Sequence, residues 1–181
     1  MLAAEPVHAA DEIPQSTPMI EGKRVDTPSG YTSFCGRFPN QCTVSFLESK
    51  RIKLTPELWA EMETVNTAVN SSITEMEDAA HYGRVEYWTI PTDGMGDCED
   101  YALTKRRALS KFGVSMRALR LTIVLTGGGE PHTVLTIVTD KGDYVLDNLS
   151  NSIIPWEETG YAKWGARQNG SGNWVELKNE E

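Results

Sequence analysis

The stretch GMGDCEDYALTKRRALSKF, from Gly94 to Phe112, places a cysteine, Cys98, between acidic residues at the start of a helical pattern. From Tyr101 onward the residues are good helix formers, and Tyr101, Ala102, Leu109 and Phe112 recur where one face can meet a core. Gly113 stands where a helix stop is expected, Gly94 and Gly96 allow a sharp entry turn, and Asp97 is placed to be the N-cap. A cysteine in the first turn lies in the field of the helix dipole, which favours the thiolate, the form that attacks carbonyls. The flanking carboxylates oppose this by like-charge repulsion, so three acids beside a nucleophile need an explanation.

The chain has 181 residues, enough for one domain with a real core. Hydrophobic residues make up 39% and charged residues 24%, an ordinary globular composition. The net charge of −9 argues against nucleic acid as a partner, and no apolar run reaches the length needed for membrane insertion. The N-terminal MLAAEPVHAADEIPQ lacks the apolar core of a signal peptide. The three cysteines, Cys35, Cys42 and Cys98, suit one bridge and one free thiol in an oxidising compartment.

Residues 1–28, rich in Ala, Pro, Glu and Thr without periodicity, read as a flexible tail along the surface, and residues 29–181 as a single domain. Cys35 and Cys42 flank Pro39-Asn40. They read either as two small buried residues or as a disulfide worth about 2–4 kcal/mol, the expectation taken here for an oxidising compartment. Thr55-Pro56-Glu57 is a helix start, followed by Leu58, Met62, Val65 and Val69 at helical spacing. Asn66 and Asn70 flank that stripe, either facing solvent or tying down a neighbouring loop. Glu75 to Gly83 reads as a helical turn and its exit. Met116–Leu125, His132–Thr139 and Tyr144–Leu146 are strand-like, with a hairpin turn at Asp140–Asp143. Helices followed by an antiparallel meander make an α+β fold. Trp156, Tyr161, Trp164 and Trp174 are expected to cover the sheet edge or line a cleft.

A cysteine nucleophile needs a base, and the base an orienter. The histidines are His8 in the tail, His81 near a helix end and His132 at the start of a strand behind a Gly-rich loop. Asp147 ends the next strand, so His132 and Asp147 can be neighbours across an antiparallel ladder. By itself His132 reads equally as a strand-end residue without chemistry. Cys98 on a helix N-terminus with His and Asp on adjacent strands is the layout of papain-like and transglutaminase-like folds. The backbone N–H of Cys98 is a sounder oxyanion donor than the Trp88 indole, which reads as core or cleft wall. A zinc site is disfavoured because no C-x-x-C spacing exists, and a phosphate loop because no Lys-Ser/Thr follows Gly94 and Gly96.

With these residues in view, the chain resembles the bacterial transglutaminase-like cysteine proteinases. The match rests on Phe34-Cys35 with Cys42, Trp59, Val65-Asn66, Val69-Asn70, Tyr87-Trp88, Gly96-Asp97-Cys98-Glu99-Asp100-Tyr101-Ala102-Leu103 with Lys105-Arg106, His132 with Val134-Leu135, and Gly142 through Asn148. The resemblance implies a periplasmic cysteine endopeptidase with Cys98 as nucleophile, His132 as general base and acid, and Asp147 as orienter. It implies a protein substrate, such as a biofilm adhesin or another surface or secreted protein, and a membrane receptor as regulator. It also implies Ca²⁺ dependence, with the metal acids mapped onto Asp97, Glu99 and Asp100. Clustered carboxylates suit a hard cation; the same acids, taken alone, read as favourable charges at a helix N-terminus. Two other functions stay open at this point: transglutaminase-type acyl transfer to an amine, and a calcium-responsive binding module with vestigial catalysis.

Overall fold

The structure, a computed structural model, describes residues 13–178; residues 1–12, with His8 and the first part of the expected tail, and residues 179–181 lie outside the described residues. In chain order the elements are β1 (Glu21–Arg24), α1 (Ser29–Arg37), α2 (Pro56–Ser72), β2 (Thr74–Glu75), α3 (Asp78–His81), β3 (Met95–Gly96), α4 (Cys98–Lys111), β4 (Leu119–Leu125), β5 (Pro131–Thr139), β6 (Gly142–Asp147), β7 (Ser150–Pro155), β8 (Lys163–Gln168) and β9 (Trp174–Leu177). The main sheet has the order β1-β9-β8-β4-β5-β6-β7, with every pair antiparallel. Helix and antiparallel sheet are thus combined in an α+β fold, as the sequence pattern implies.

The expected three-strand meander is the centre of a larger sheet. Leu121 pairs with Leu135, and Leu135 in turn with Leu146, so the apolar residues of β4, β5 and β6 align in register. The hairpin between β5 and β6 closes at Gly142, whose φ of +114° suits glycine. Trp164 and Trp174 lie within strands of this sheet, β8 and β9, rather than merely covering its edge. The segment expected as a tail differs as well. From Pro14 on it is pinned to the domain: the Tyr144 hydroxyl donates to Pro14 O at 2.8 Å, Asp143 N–H to Thr17 O at 3.0 Å, and β1 pairs with β9. Its polar composition hides this docking, because backbone groups make most of the contacts.

One face of the sheet is covered by the helices. Met62, Val65 and Val69 of α2 and Leu103 and Leu109 of α4 pack with Leu121, Leu135, Ile137 and Leu146. The opposite face carries a smaller cluster of Met19, Val124, Val134, Val145, Trp156, Trp164 and Leu177, with Tyr161 against it. α2 begins as its sequence dictates: Thr55 Oγ1 accepts from Leu58 N–H at 3.2 Å, with Pro56 in the first turn. Asn66 and Asn70 tie down the β6–β7 turn. Asn66 Nδ2 donates to Ser150 O and Asn151 O, and Asn70 Nδ2 to Asp147 O and Ser150 O, all between 2.9 and 3.0 Å. Cys35 and Cys42 are bridged, their Cα atoms 5.7 Å apart, and Cys98 is the free cysteine.

Two outcomes are expected. Mass spectrometry of unreduced, oxidatively folded protein should find one free thiol. Asn66→Ala, which removes the fully buried side-chain amide that donates to two turn carbonyls, should lower stability by about 1–3 kcal/mol in denaturant unfolding; a change below about 0.5 kcal/mol would show that the turn does not need the tie.

Candidate active site

Three short contacts fix the start of α4. The parallel pair β2–β3 joins the exit of α2 to the entry turn, with Thr74 N–H donating to Gly94 O at 2.8 Å. The Tyr101 hydroxyl donates to Ile73 O at 2.6 Å. At Gly96 a Cβ would stand 2.5 Å from Asp100 Oδ2, so only glycine lets the chain pass that close to the helix. Asp97 holds the N-cap position with extended backbone, but its carboxylate does not cap its own helix; Oδ2 accepts from Asp78 N–H at 3.3 Å.

Cys98, at the first position of α4, opens into a cleft of about 560 Å³. His132, Thr133, Trp88 and Leu149 share the lining with it. Cys98 Sγ accepts from Thr133 N–H at 3.3 Å, and its S–H donates to Glu99 Oε2 at 3.2 Å. His132 Nε2 lies 2.9 Å from Asp147 Oδ1. The three residues singled out from the sequence are therefore brought to one place: His132 is the neighbour of the residue that touches the sulfur, and its Nε2 is taken by Asp147. The Trp88 indole N–H donates to Glu86 Oε2 at 2.7 Å, which leaves the ring as cleft wall.

The Asp147 carboxylate is almost surrounded by donors. Leu149 N–H joins His132 on Oδ1 at 3.1 Å, and the Tyr161 hydroxyl donates to Oδ2. Burial raises its pKa, but the donors outweigh burial and hold it below the ordinary carboxylate value. From the sequence Tyr161 was legible only as an aromatic covering the sheet edge or lining a cleft, not as a partner of Asp147. His81, the other histidine in the described residues, lies 2.8 Å from Asp93 Oδ2 and does not line this cleft.

Beside Cys98, one carboxylate oxygen from each of Asp78, Asp97 and Glu99 lies within 4.8 Å of the others. Asp78 comes from α3, twenty positions before Cys98, and no spacing rule points to it. Asp78 Oδ2 accepts from Tyr87 N–H; Asp78 Oδ1 and Asp97 Oδ1 have no hydrogen-bond partner. Asp100 Oδ1 accepts from Thr89 N–H at 2.7 Å, and its Oδ2 is unpartnered. Burial raises the pKa of Asp78, Asp97 and Glu99; repulsion from Asp78 adds to it at Asp97, from Asp97 at Glu99, and from Glu86 and Glu77 at Asp78, while burial takes Asp100 to about 8. Burial, then the Glu99 carboxylate, push the Cys98 thiol well above its ordinary value. Buried oxygens without donors, crowded and mutually repelling, suit a hard divalent cation. Glu75, Glu77, Glu86 and Glu130 add further negative charge to the cleft lining.

The family model described as bacterial transglutaminase-like cysteine proteinase BTLCP matches residues 21–181. No curated protein matches the chain. Among solved structures, Legionella pneumophila LapG is similar at 27% identity over 64% of this chain and 67% of that one, with a TM-score of 0.55. The calcium-bound form of LapG aligns over 82% of this chain and 81% of its own at 23% identity, with a TM-score of 0.57, a likeness of fold alone. The EGTA-treated form aligns over 67% of this chain and 71% of its own at 25% identity, with a TM-score of 0.55.

One further titratable group lies on the same helix as Cys98. Lys105, two turns below Cys98 on α4, is fully buried, and its Nζ has no hydrogen-bond partner. Burial lowers its pKa to about 7, with Asp147 pulling the other way. The unfolded chain therefore binds a proton that the native state releases between about pH 7 and the ordinary lysine value, so native stability rises with pH in that window. The slope from this group is at most about 1.4 kcal/mol per pH unit. Lys105→Met should flatten that rise in urea unfolding measured from pH 7 to 10; an unchanged slope would mean that Lys105 is charged in the native protein.

Proposed function

Because the chain belongs to the bacterial transglutaminase-like cysteine proteinases, we propose that its peptidase activity runs through Cys98, His132 and Asp147 on an extracytoplasmic protein substrate. The observation that carries the reading is the 2.9 Å contact between His132 Nε2 and Asp147 Oδ1. It leaves Nδ1 as the ring nitrogen for proton transfer, while the next backbone N–H reaches Cys98 Sγ at 3.3 Å.

In this mechanism His132 Nδ1 takes the Cys98 proton and the sulfur attacks the scissile carbonyl. The backbone N–H of Cys98, at a helix N-terminus, faces the oxyanion that develops. The imidazolium gives its proton to the leaving amine as the C–N bond breaks, leaving a thioester on Cys98. Water, deprotonated by the same nitrogen, then hydrolyses the thioester and restores the thiol. Asp147 holds the Nε2–H tautomer throughout and stabilises the imidazolium.

Asp78, Asp97 and Glu99 would hold a calcium ion, with Asp100 as the remaining acid of the flanking group. Bound there, Ca²⁺ would neutralise the carboxylates that now raise the Cys98 thiol. LapG has calcium-bound and EGTA-treated structures, which supports this assignment by likeness. The Cys35–Cys42 bridge and the family resemblance support a periplasmic setting, and the resemblance alone supports an adhesin-like surface or secreted protein as substrate and a membrane receptor as regulator. No helix of the described residues is long and apolar enough to cross a membrane.

Cleavage of a peptide library, read by mass spectrometry, should fall at least about a thousandfold in Cys98→Ala and in His132→Ala, and less in Asp147→Asn. Full activity of His132→Ala would overturn the assignment. EGTA should lower cleavage and Ca²⁺ restore it, whereas Mg²⁺ should do so poorly because it demands a tighter shell. Calorimetry should show weaker Ca²⁺ binding in Asp78→Ala, Asp97→Ala and Glu99→Ala; undiminished binding in all three would place the ion elsewhere.

A further inference from the structure

A carboxylate that orients a histidine needs one oxygen for the ring. In this chain the other oxygen of Asp147 is held as well, by the Tyr161 hydroxyl. That phenol is fixed from behind. Its ring stands edge-on to Trp164 at 5.8 Å, and Trp164 stands edge-on to Trp156 at 5.7 Å. Trp156 Nε1–H in turn donates to Thr17 O at 3.0 Å, in the docked N-terminal segment. The adjacent Ala162 N–H donates to Leu125 O at 2.9 Å, so the backbone at Tyr161 is tied to β4. The ring centroid of Tyr161 lies 5.8 Å from that of His132, tilted against it. The smaller hydrophobic cluster on the outer face of the sheet thus ends in one hydroxyl aimed at the carboxylate.

We propose that Tyr161 is a positioning residue for His132: its O–H locks the plane of the Asp147 carboxylate, so that Oδ1 stays on Nε2–H and Nδ1 is left as the nitrogen that can serve Cys98. The inference rests on the reading of Cys98 and His132 as the reacting pair. Without the phenol, the carboxylate keeps only the donors on Oδ1, Leu149 N–H and the His132 ring, and turns more readily about its Cβ–Cγ bond, so the Nδ1–H tautomer of His132, useless as a base toward Cys98, gains population. The Oδ2 charge also loses a donor, which makes Asp147 easier to protonate. Burial and the Asp147 charge both keep Tyr161 in its phenol form, able to donate.

The test is a double-mutant cycle in the full chain, with calcium held constant and iodoacetamide as the probe of Cys98. Tyr161→Phe keeps the aromatic stack and removes one oxygen, so its melting temperature should stay within a few degrees of wild type. Its alkylation rate should fall about tenfold, the size expected for one lost charge-assisted hydrogen bond. The acid limb of its pH–rate profile should move to higher pH. ¹⁵N spectra of the histidine ring should show Nδ1–H tautomer absent from wild type. In an Asp147→Asn background the same substitution should cost nothing further, because Tyr161 acts only through Asp147. A wild-type rate and profile in Tyr161→Phe, or an equal loss in both backgrounds, would overturn the proposal while leaving the triad standing. If His132→Ala were alkylated as fast as wild type, the pairing itself would fail, and this inference with it.

Discussion

The contact on which the active cleft depends is the one between the start of α4 and the start of β5, where Thr133 N–H meets Cys98 Sγ at 3.3 Å. A helix N-terminus and a strand end that far apart in sequence meet only if both elements are held. The helix is held by its buried face and by the β2–β3 pair, which anchors its entry turn to the end of α2. The strand is held by its place near the middle of a seven-stranded sheet. Cys98 therefore sits where a helix and a strand that are both held meet, a better platform than a loop for the nucleophile proposed above.

The same junction sets the electrostatic problem. Desolvation and like charges favour protonated acids and a protonated thiol around Cys98. At the other side of the cleft Asp147 remains ionised because three donors surround it. The site thus divides into a carboxylate whose charge is satisfied by hydrogen bonds and a group of carboxylates whose charge is not. That asymmetry is the reason for assigning Asp147 to the histidine and the cluster at Asp78, Asp97 and Glu99 to a cation.

Much of this was readable where local signals are strong. The Thr55-Pro56 start of α2, the periodic face of α4 and the β-branched runs of β4 and β5 announce their elements directly. The Asn66 and Asn70 ties to the β6–β7 turn were one of two readings of that pair. The strands beyond the β4–β6 meander were not legible. Glu21-Gly-Lys-Arg24 and Lys163-Trp-Gly-Ala-Arg-Gln168 lack clear alternation and owe their conformation to neighbours that are distant in sequence. α1 contains Gly30 and Gly36, poor helix residues, and relies on the bridge and on packing against Trp88. Asp78 and Tyr161 went unseen as site residues for the same reason: each reaches the cleft by tertiary folding, with no spacing relative to Cys98 or Asp147 to mark it.

The central claim is that Cys98 forms an acyl intermediate with the help of His132. It can be tested without knowing the natural substrate, by acid-quenching the protein with a p-nitrophenyl ester and mapping the acyl group by tandem mass spectrometry. The account predicts an acyl adduct on Cys98 in wild type, and its loss or strong slowing in His132→Ala. An adduct on another residue, or equal labelling of Cys98 in both proteins, would contradict it.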